Sequence, residues 1–358
     1  MGFPGDDEFT GPMTMQPDAQ DKSVLLNQRG AALLMVLWIF IFLLVVAFDF
    51  SASVREEAAA AHRYNDETQG YYLALAGFQR GVYEFLQQSA GRDAVAGRDA
   101  LDSEKRGDIF DGSWREETLS GAAFRVRWLD EGGKININRA DEGTLRRIFT
   151  NVGIEEPVRT IIIDSIMDWR DPDNLHRANG AENEYYRSLT PPYTARNGPF
   201  DTVEDLLWIR GVTPEIFYGH DSRALGQRDE NAPRIGLREI FTVDSPIDRV
   251  NLRTASAEVI HAVAGIPLEK TRAFVEERKK LADKTLADLL PLLGIGASDA
   301  AMQLFVFANP AVVSVEAEGR PGQSRAARRV RGVVRAAGGG REFELVRWID
   351  RDVGLLMR

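Results

Sequence analysis

The sequence contains no cysteine, which removes disulfides, thiolate catalysis and Cys-ligated zinc and leaves the compartment to be read from other features. Histidine is scarce too: His62, His176, His220 and His261 are scattered and read as surface residues. No HExxH, GxSxG or GxxxxGK[ST] pattern occurs, so metallohydrolase, serine-hydrolase and P-loop chemistry have no footing and no enzyme is expected. Positive charge is in deficit. A formal net charge of −10 ill suits a protein that coats phosphate backbones, because nonspecific nucleic-acid affinity is built from clustered Lys and Arg. What the chain does have is apolar material, 44% of 358 residues, enough for a sizeable core.

Much of that material lies in one uncharged run. From Ala31 to Phe48 the chain reads AALLMVLWIFIFLLVVAF, which at about 1.5 Å per residue spans roughly 27 Å, enough for one crossing of a bilayer core about 30 Å thick. Lys22 and Arg29 precede it and Asp49 follows it. That bias predicts a cytoplasmic N-terminus, with the bulk of the chain beyond the membrane in the periplasm. A cleaved secretory signal would be shorter and followed by a break. Here helix formers continue to residue 88, and Tyr71, Leu75, Phe78, Val82 and Phe85 recur at the spacings of one helix face. Span and soluble helix read as one rod on the order of 80 Å long.

Beyond the rod, residues 89–107 are rich in Gly, Asp and Arg and read as an exposed loop. Ala123–Leu129, Val312–Glu318, Arg329–Ala336 and Glu342–Ile349 alternate polar and apolar residues, as strands do. Residues 134–308 read as helical almost throughout. The fold class expected is α+β: a long N-terminal helix packed on an antiparallel sheet, with a large α-helical domain inserted between the first strands and the last. The boundaries are 1–30 for a leader, 31–48 for the membrane part, 49–133 for helix, loop and first strands, 134–308 for the insertion, and 309–358 for the last strands. An internal repeat supports the insertion: Ile135-Asn136-Ile137-Asn138-Arg139-Ala140 leads to Val152-Gly153-Ile154, and Val250-Asn251-Leu252-Arg253-Thr254-Ala255 leads to Ala264-Gly265-Ile266. Gly211-Val212 and Gly294-Ile295-Gly296 repeat the glycine turn, so helix, tight turn, helix is the unit expected.

The richest polar cluster is Asp168, Asp171 and Asp173 followed by Glu182 and Glu184, with Asp201 beyond, on a stretch broken by Pro172 and Gly180. Hard oxygen ligands on irregular backbone suit Ca²⁺. The spacing is not that of an EF-hand, and the same residues would also serve a solvated loop as turn formers. Arg325, Arg328, Arg329, Arg331 and Arg335 read as a charge-protected strand edge. Trp128, Trp169, Trp208 and Trp348 read as core.

A leader ending in Gln28-Arg29-Gly30 before an apolar helix resembles the type IV pilin and pseudopilin families. The resemblance implies that a prepilin peptidase cuts between Gly30 and Ala31 and that the new amino group is methylated; Ala31 departs from the aromatic residue or Met usual there. Most pilins carry Glu at the fifth mature position, which here is Met35. The segments KININRAD (134–141), DWRDPDN (168–174), GAENEYY (180–186), PFDTVEDLLWIRGVTPEIF (199–217) and RVNLRTAS (249–256) resemble the minor pseudopilin K family of type II secretion, also called general secretion pathway protein K. That resemblance implies a tip subunit that helps start pseudopilus assembly. Its implied setting is a single-pass position in the bacterial inner membrane, its partners the minor pseudopilins I, J and H and the inner-membrane assembly platform. It also implies calcium in the inserted domain, on Asp168, Asp171, Asp173, Glu182 and Glu184. The alternative is a membrane-anchored DNA-binding protein of the competence type with helix-hairpin-helix turns, of which Gly294-Ile295-Gly296 is the best match. The acidic neighbours Glu155, Glu156 and Asp299 repel phosphate and weigh against it.

Overall fold

The computed structural model describes residues 21–90, 109–119, 121–219, 235–279, 286–296, 300–322 and 327–350. The leader to residue 20, all but the start of the loop expected at 89–107, His220, Asp299 and Arg325 lie outside the described residues, as do the side chains of 21–30. Two compact units meet at Asn65. The first holds the N-terminal part of helix α1 (Asp21–Ser89). From Leu33, 73% exposed, to Phe50, 70% exposed, its apolar side chains face outward on every side. The segment is long and apolar enough to cross a membrane, where such a surface carries no hydration penalty.

The second unit begins at Asp66. Its strands in chain order are β1 (Arg115–Leu119), β2 (Ala122–Asp130), the two-residue β3 (Ile135–Asn136), β4 (Phe241–Thr242), β5 (Val250–Asn251) and β6 (Phe305–Val306), then β7 (Val312–Arg320), β8 (Arg328–Ala337) and β9 (Glu342–Ile349). Five of them form an antiparallel sheet in the order β1-β2-β7-β8-β9. Alternation predicted four of these five. The edge strand β1, REETL, buries neither face fully and carries no alternation to read.

The C-terminal part of α1 packs on one face of this sheet through Gly70, Ala74, Gly77, Phe78, Gly81, Val82 and Phe85, all buried. Phe78, Val82 and Phe85 belong to the predicted stripe, whereas Tyr71 and Leu75 are only half-buried. Glycine sets the approach distance. A Cβ on Gly81 would stand 2.5 Å from Val315 and 2.9 Å from Val126, and one on Gly77 would stand 2.8 Å from the Phe124 ring. The fully buried Trp128 donates its indole N–H to the Gly81 carbonyl at 2.8 Å.

The arginines of β8 do not guard an edge, because β8 is interior, between β7 and β9. Arg329 pairs with Glu318 at 2.9 Å, Arg331 with Glu131 at 3.1 Å and Arg335 with Glu344 at 3.0 Å. These are cross-strand and inter-element pairs.

Between β2 and β7 the helices are α2 (Glu142–Asn151), α3 (Val158–Arg170), α4 (Asn183–Arg187), α5 (Pro214–Tyr218), α6 (Leu237–Ile240), α7 (Ala257–Ala264), α8 (Leu268–Arg278) and α9 (Leu286–Leu293). The expectation of nearly continuous helix fails between α3 and α5, where residues 171–182 and 188–202 are irregular. Pro172, Pro191, Pro192 and Pro199 withhold backbone donors and disfavour helix in the residues before them. The sequence repeat is a structural one: β3 precedes α2 and α3, β5 precedes α7 and α8, and each short strand joins a parallel ladder, β3 with β4 and β5 with β6. Asp141 caps α2 through the Thr144 N–H, and Ser256 caps α7 through the Val259 N–H. The last residue of each second helix clamps its repeat's opening. Arg170 donates to the carbonyls of Ile137 (2.5 Å) and Ala140 (3.0 Å), Arg278 to those of Leu252 (2.7 Å) and Ala255 (2.8 Å).

Both repeats are tied to the sheet at the end of β2. Asp130 accepts hydrogen bonds from Asn251 (2.8 Å) and Thr254 (2.6 Å), while Glu131 accepts from Thr242 and Ser314 and pairs with Arg331.

The helix-sheet contact makes a direct prediction. Leucine in place of Gly81 gains up to about 1 kcal/mol of helix propensity, but overpacking against Val315 and Val126 should outweigh it, with a net loss of about 1–3 kcal/mol. A melting temperature that stays level or rises in circular dichroism would show that the contact is not close-packed.

Candidate metal centre

Helix α3 brings acids to its C-terminal end because Asp164, Asp168 and Asp171 are spaced at three and four residues. Arg170 locks that end in place, so the loop beginning at Asp171 leaves from a fixed point. Asp168 is fully buried, and its carboxylate accepts the Arg177 backbone N–H at 3.1 Å and 3.2 Å. Gly180 passes so close that a Cβ there would sit 1.9 Å from Asp168 Oδ2. No larger residue fits. Asp164 holds the neighbouring Asn179 through its N–H at 3.1 Å.

Glu182, at the start of α4, is 3% exposed, and neither of its carboxylate oxygens has a hydrogen-bond partner. Burial, then the negative charges of Asp168 and Asp171, push its pKa up to about 7, with a smaller push from Asp173. Asp171 is pushed up by burial and by Asp173, and one of its oxygens is buried without a partner. Burial also raises Asp168. Asp173 caps a turn through the Leu175 N–H at 2.8 Å. These four acids form one electrostatic group. Glu184 is exposed and lines a cleft together with Glu182, Asn174, His176, Asn183 and Arg187, while Asp201 is tied to Arg196.

Sequence reasoning missed Asn197. It has a positive φ of 50°, donates to the Asp173 carbonyl and Asn174 Oδ1, and leaves its own Oδ1 buried without a partner. The Asn-Gly pair at 197–198 signals the turn but not its contact with a loop more than twenty residues earlier.

The donor set fits a hard cation. Among the described residues Glu182 is a buried carboxylate with neither oxygen hydrogen-bonded and other acids beside it, which is costly, and oxygen donors on an irregular loop are what Ca²⁺ takes. Among the described residues no three His, Asp or Glu side chains already stand together at metal-ligand spacing, so a bound ion would have to draw the acids inward.

Residues 122–218 match the model of the family described as type II secretion system (T2SS), protein K. Over that span the chain is similar to the type II secretion protein K family. Type II secretion system protein K of Klebsiella pneumoniae is 26% identical over 209 residues, 53% of this chain and 60% of that protein. The protein of the same name from Pseudomonas aeruginosa is 26% identical over 265 residues, 70% of this chain and 73% of that one. The chain thus spans about 60% of the length of the Klebsiella relative. In the crystal structure of the GspK-GspI-GspJ complex from enterotoxigenic Escherichia coli, a chain superposes with a TM-score of 0.54 at 14% identity, covering 82% of this chain and 99% of that one. That likeness shows a shared fold. The family resemblance read from the sequence is borne out by these matches, and the acidic loop lies wholly inside the matched span.

The raised carboxyl of Glu182 sets a pH dependence. A group whose folded pKa stands above its unfolded value stabilises the fold below the unfolded pKa and loses that contribution as pH climbs through the folded one. Without divalent cations the melting temperature should therefore fall between about pH 4.5 and pH 7 or slightly above. Glu182→Gln should flatten the fall and raise the melting temperature at pH 8. A Gln variant less stable than the parent at pH 8 in chelator would mean that the carboxylate is compensated by something else.

Proposed function

We propose that the protein is a minor pseudopilin of a type II secretion system that caps the pseudopilus tip and helps to initiate its assembly. The observation that carries this reading is the conjunction, in one chain, of a membrane-length apolar helix segment, an antiparallel sheet with a helix on its face, and a span matching the protein K family joined to that sheet. Lys22 and Arg29 before the apolar run and Asp49 after it support a cytoplasmic N-terminus, with the sheet and helical domain periplasmic and the anchor in the inner membrane. In this reading prepilin peptidase cuts after Gly30 and Ala31 becomes the methylated N-terminus. With Met35 in place of an acid, the subunit offers its own amine to a neighbour's Glu but has no carboxylate to return the contact. That suits a terminal position. Its partners are the minor pseudopilins I, J and H and the assembly platform, and it acts by assembly rather than catalysis.

Calcium belongs to the same reading. Asp168, Asp171, Asp173 and Glu182 would hold it, with Glu184 at the margin and Asn197 as a neutral oxygen donor. The ion would cancel the repulsion that raises Glu182.

The turns at Gly153, Gly265 and Gly294 resemble helix-hairpin-helix turns, whose N–H groups face phosphate in DNA-binding proteins. Here the N–H groups of Gly153, Ile154, Gly265, Gly294 and Ile295 are engaged by carbonyls of the helix that each turn closes. Their occupation supports an architectural use of the hairpin over a nucleic-acid one.

Mass spectrometry of protein from cells with an active prepilin peptidase should find a chain beginning at a monomethylated Ala31; an intact leader would count against the pseudopilin reading. Calorimetry in detergent should register Ca²⁺ binding that Glu182→Gln weakens at least about tenfold, a loss of 1.4 kcal/mol or more. No heat and no calcium-dependent change in melting temperature would remove the site.

A further inference from the structure

Trp208 departs from the expectation that the tryptophans are core: it is 51% exposed, at the end of the short turn Val203–Trp208. It forms the rim of a cleft of about 280 Å³ whose other walls are Trp169, Tyr193, Thr194, Arg196 and Asp205. Tyr193 and Trp208 stand edge to face, with ring centroids 5.2 Å apart and planes at 72°. Trp169 lies deeper, 6% exposed and stacked on Phe200. Its indole N–H is buried and has no acceptor among the described residues. A buried N–H of this kind is a standing cost that a ligand oxygen would relieve.

The polar groups of the cleft identify the class of ligand. Asp205 already accepts three hydrogen bonds, from the N–H groups of Asp201 (2.9 Å) and Thr202 (3.1 Å) and the Thr202 hydroxyl (2.8 Å). The Tyr193 hydroxyl donates to the Trp208 carbonyl at 2.8 Å. What is left has more donors than acceptors: the Trp169 N–H, the part of the Arg196 guanidinium that Asp201 does not occupy, and the Thr194 hydroxyl, which can donate or accept. A saccharide brings hydroxyls that need acceptors as well as donors. A prolyl segment brings carbonyl oxygens, no N–H, and flat rings suited to aromatic faces. We propose that this cleft binds a polypeptide segment in the polyproline II conformation, with a prolyl ring against Trp208 and Tyr193 and its carbonyl oxygens accepting from Trp169, Arg196 and Thr194. Aromatic-lined grooves recognise such segments at low entropic cost because the ligand is already extended. The proposal is independent of the assembly role and of calcium.

The test titrates the full chain in detergent with decaproline, with a glycine-serine peptide of equal length and with a neutral trisaccharide, following tryptophan fluorescence and heat. Saturable binding of decaproline alone is expected, weakened at least about tenfold by Trp208→Ala, the loss of one aromatic anchor. Trp169→Phe, which keeps the ring stack and removes the N–H, should weaken it several-fold. Melting curves for both variants establish that they fold; Trp208 is half exposed, so its truncation leaves the core intact. The proposal falls if decaproline does not bind, if the trisaccharide or glycine-serine peptide binds as well or better, or if folded Trp208→Ala binds like the parent.

Discussion

The structure turns on a buried charge. Glu131, 1% exposed, sits where β2 leaves the sheet, and it is reached from three directions: Arg331 from β8, Ser314 from β7 and Thr242 from the ladder that closes the first repeat. Burial alone would raise its pKa, yet the charges of Arg331 and Lys134 and the hydroxyls of Ser314 and Thr242 outweigh it and hold the carboxylate ionised. Its neighbour Asp130 shows the reverse balance. Burial prevails over the hydrogen bonds from Thr254, Asn251 and Gly132 and raises that acid. Adjacent residues thus tie the sheet to both repeats, one through a fully compensated anion and the other through hydrogen bonds that leave a proton cheaper to hold. A buried pair of this kind adds little net stability, but breaking one partner leaves an uncompensated charge worth about 3–5 kcal/mol. Its role is to fix register. In this arrangement both oxygens of Glu131 and both of Asp130 are hydrogen-bonded.

How much of this was legible follows from where the constraints act. β2, β7, β8 and β9 could be read because their polar and apolar residues alternate; in β2 that alternation coincides with burial of one face, whereas β7 is buried on both faces and β9 on neither. The repeat could be read because its openings need the same residues: Asn136 and Asn251 each use a side-chain oxygen to accept the N–H two residues on and a side-chain N–H to reach a carbonyl across the ladder. What escaped was contact at close range between distant segments. Gly77 and Gly81 look like helix weakeners until Val315, Val126 and Phe124 are seen above them. The β8 arginines looked like edge protection because sequence order does not reveal that β9 closes the sheet beyond them.

The acidic loop was half legible. Asp168, Asp171, Asp173 and Glu182 announced themselves by density along the chain, and the structure makes them one electrostatic group. Glu184 and Asp201 belong to the same dense stretch but lie at a cleft mouth and in an ion pair. Density carries no direction, and which acids turn inward depends on the Gly180 backbone pressing against Asp168. Asn197 had no such signal. Its place comes from a turn whose positive φ returns the chain to Asp173.

Comparing the two repeats explains why chemistry gathers where it does. After Arg278 clamps the second repeat the chain soon reaches α9, whereas after Arg170 clamps the first it runs from Asp171 to Thr213 with one short helix and a brief turn before α5. That excursion carries Asp171, Asp173 and Glu182 of the acid group and every wall of the aromatic cleft except Trp169, and sets them against Asp168 and Trp169 at the end of α3. The clamp makes it possible: with the carbonyls of Ile137 and Ala140 held by Arg170, the end of α3 is rigid whatever the loop does. A site needs a scaffold that does not move when a ligand arrives, and a loop free to vary without loosening the core. The second repeat has the same clamp and a shorter connection to its next helix, whereas the excursion of the first also puts Tyr186, Phe200, Leu206 and Ile209 into the core. The loop therefore has two duties: it supplies core side chains, and it sets buried acids and an aromatic cleft against Asp168 and Trp169 at the fixed end of α3.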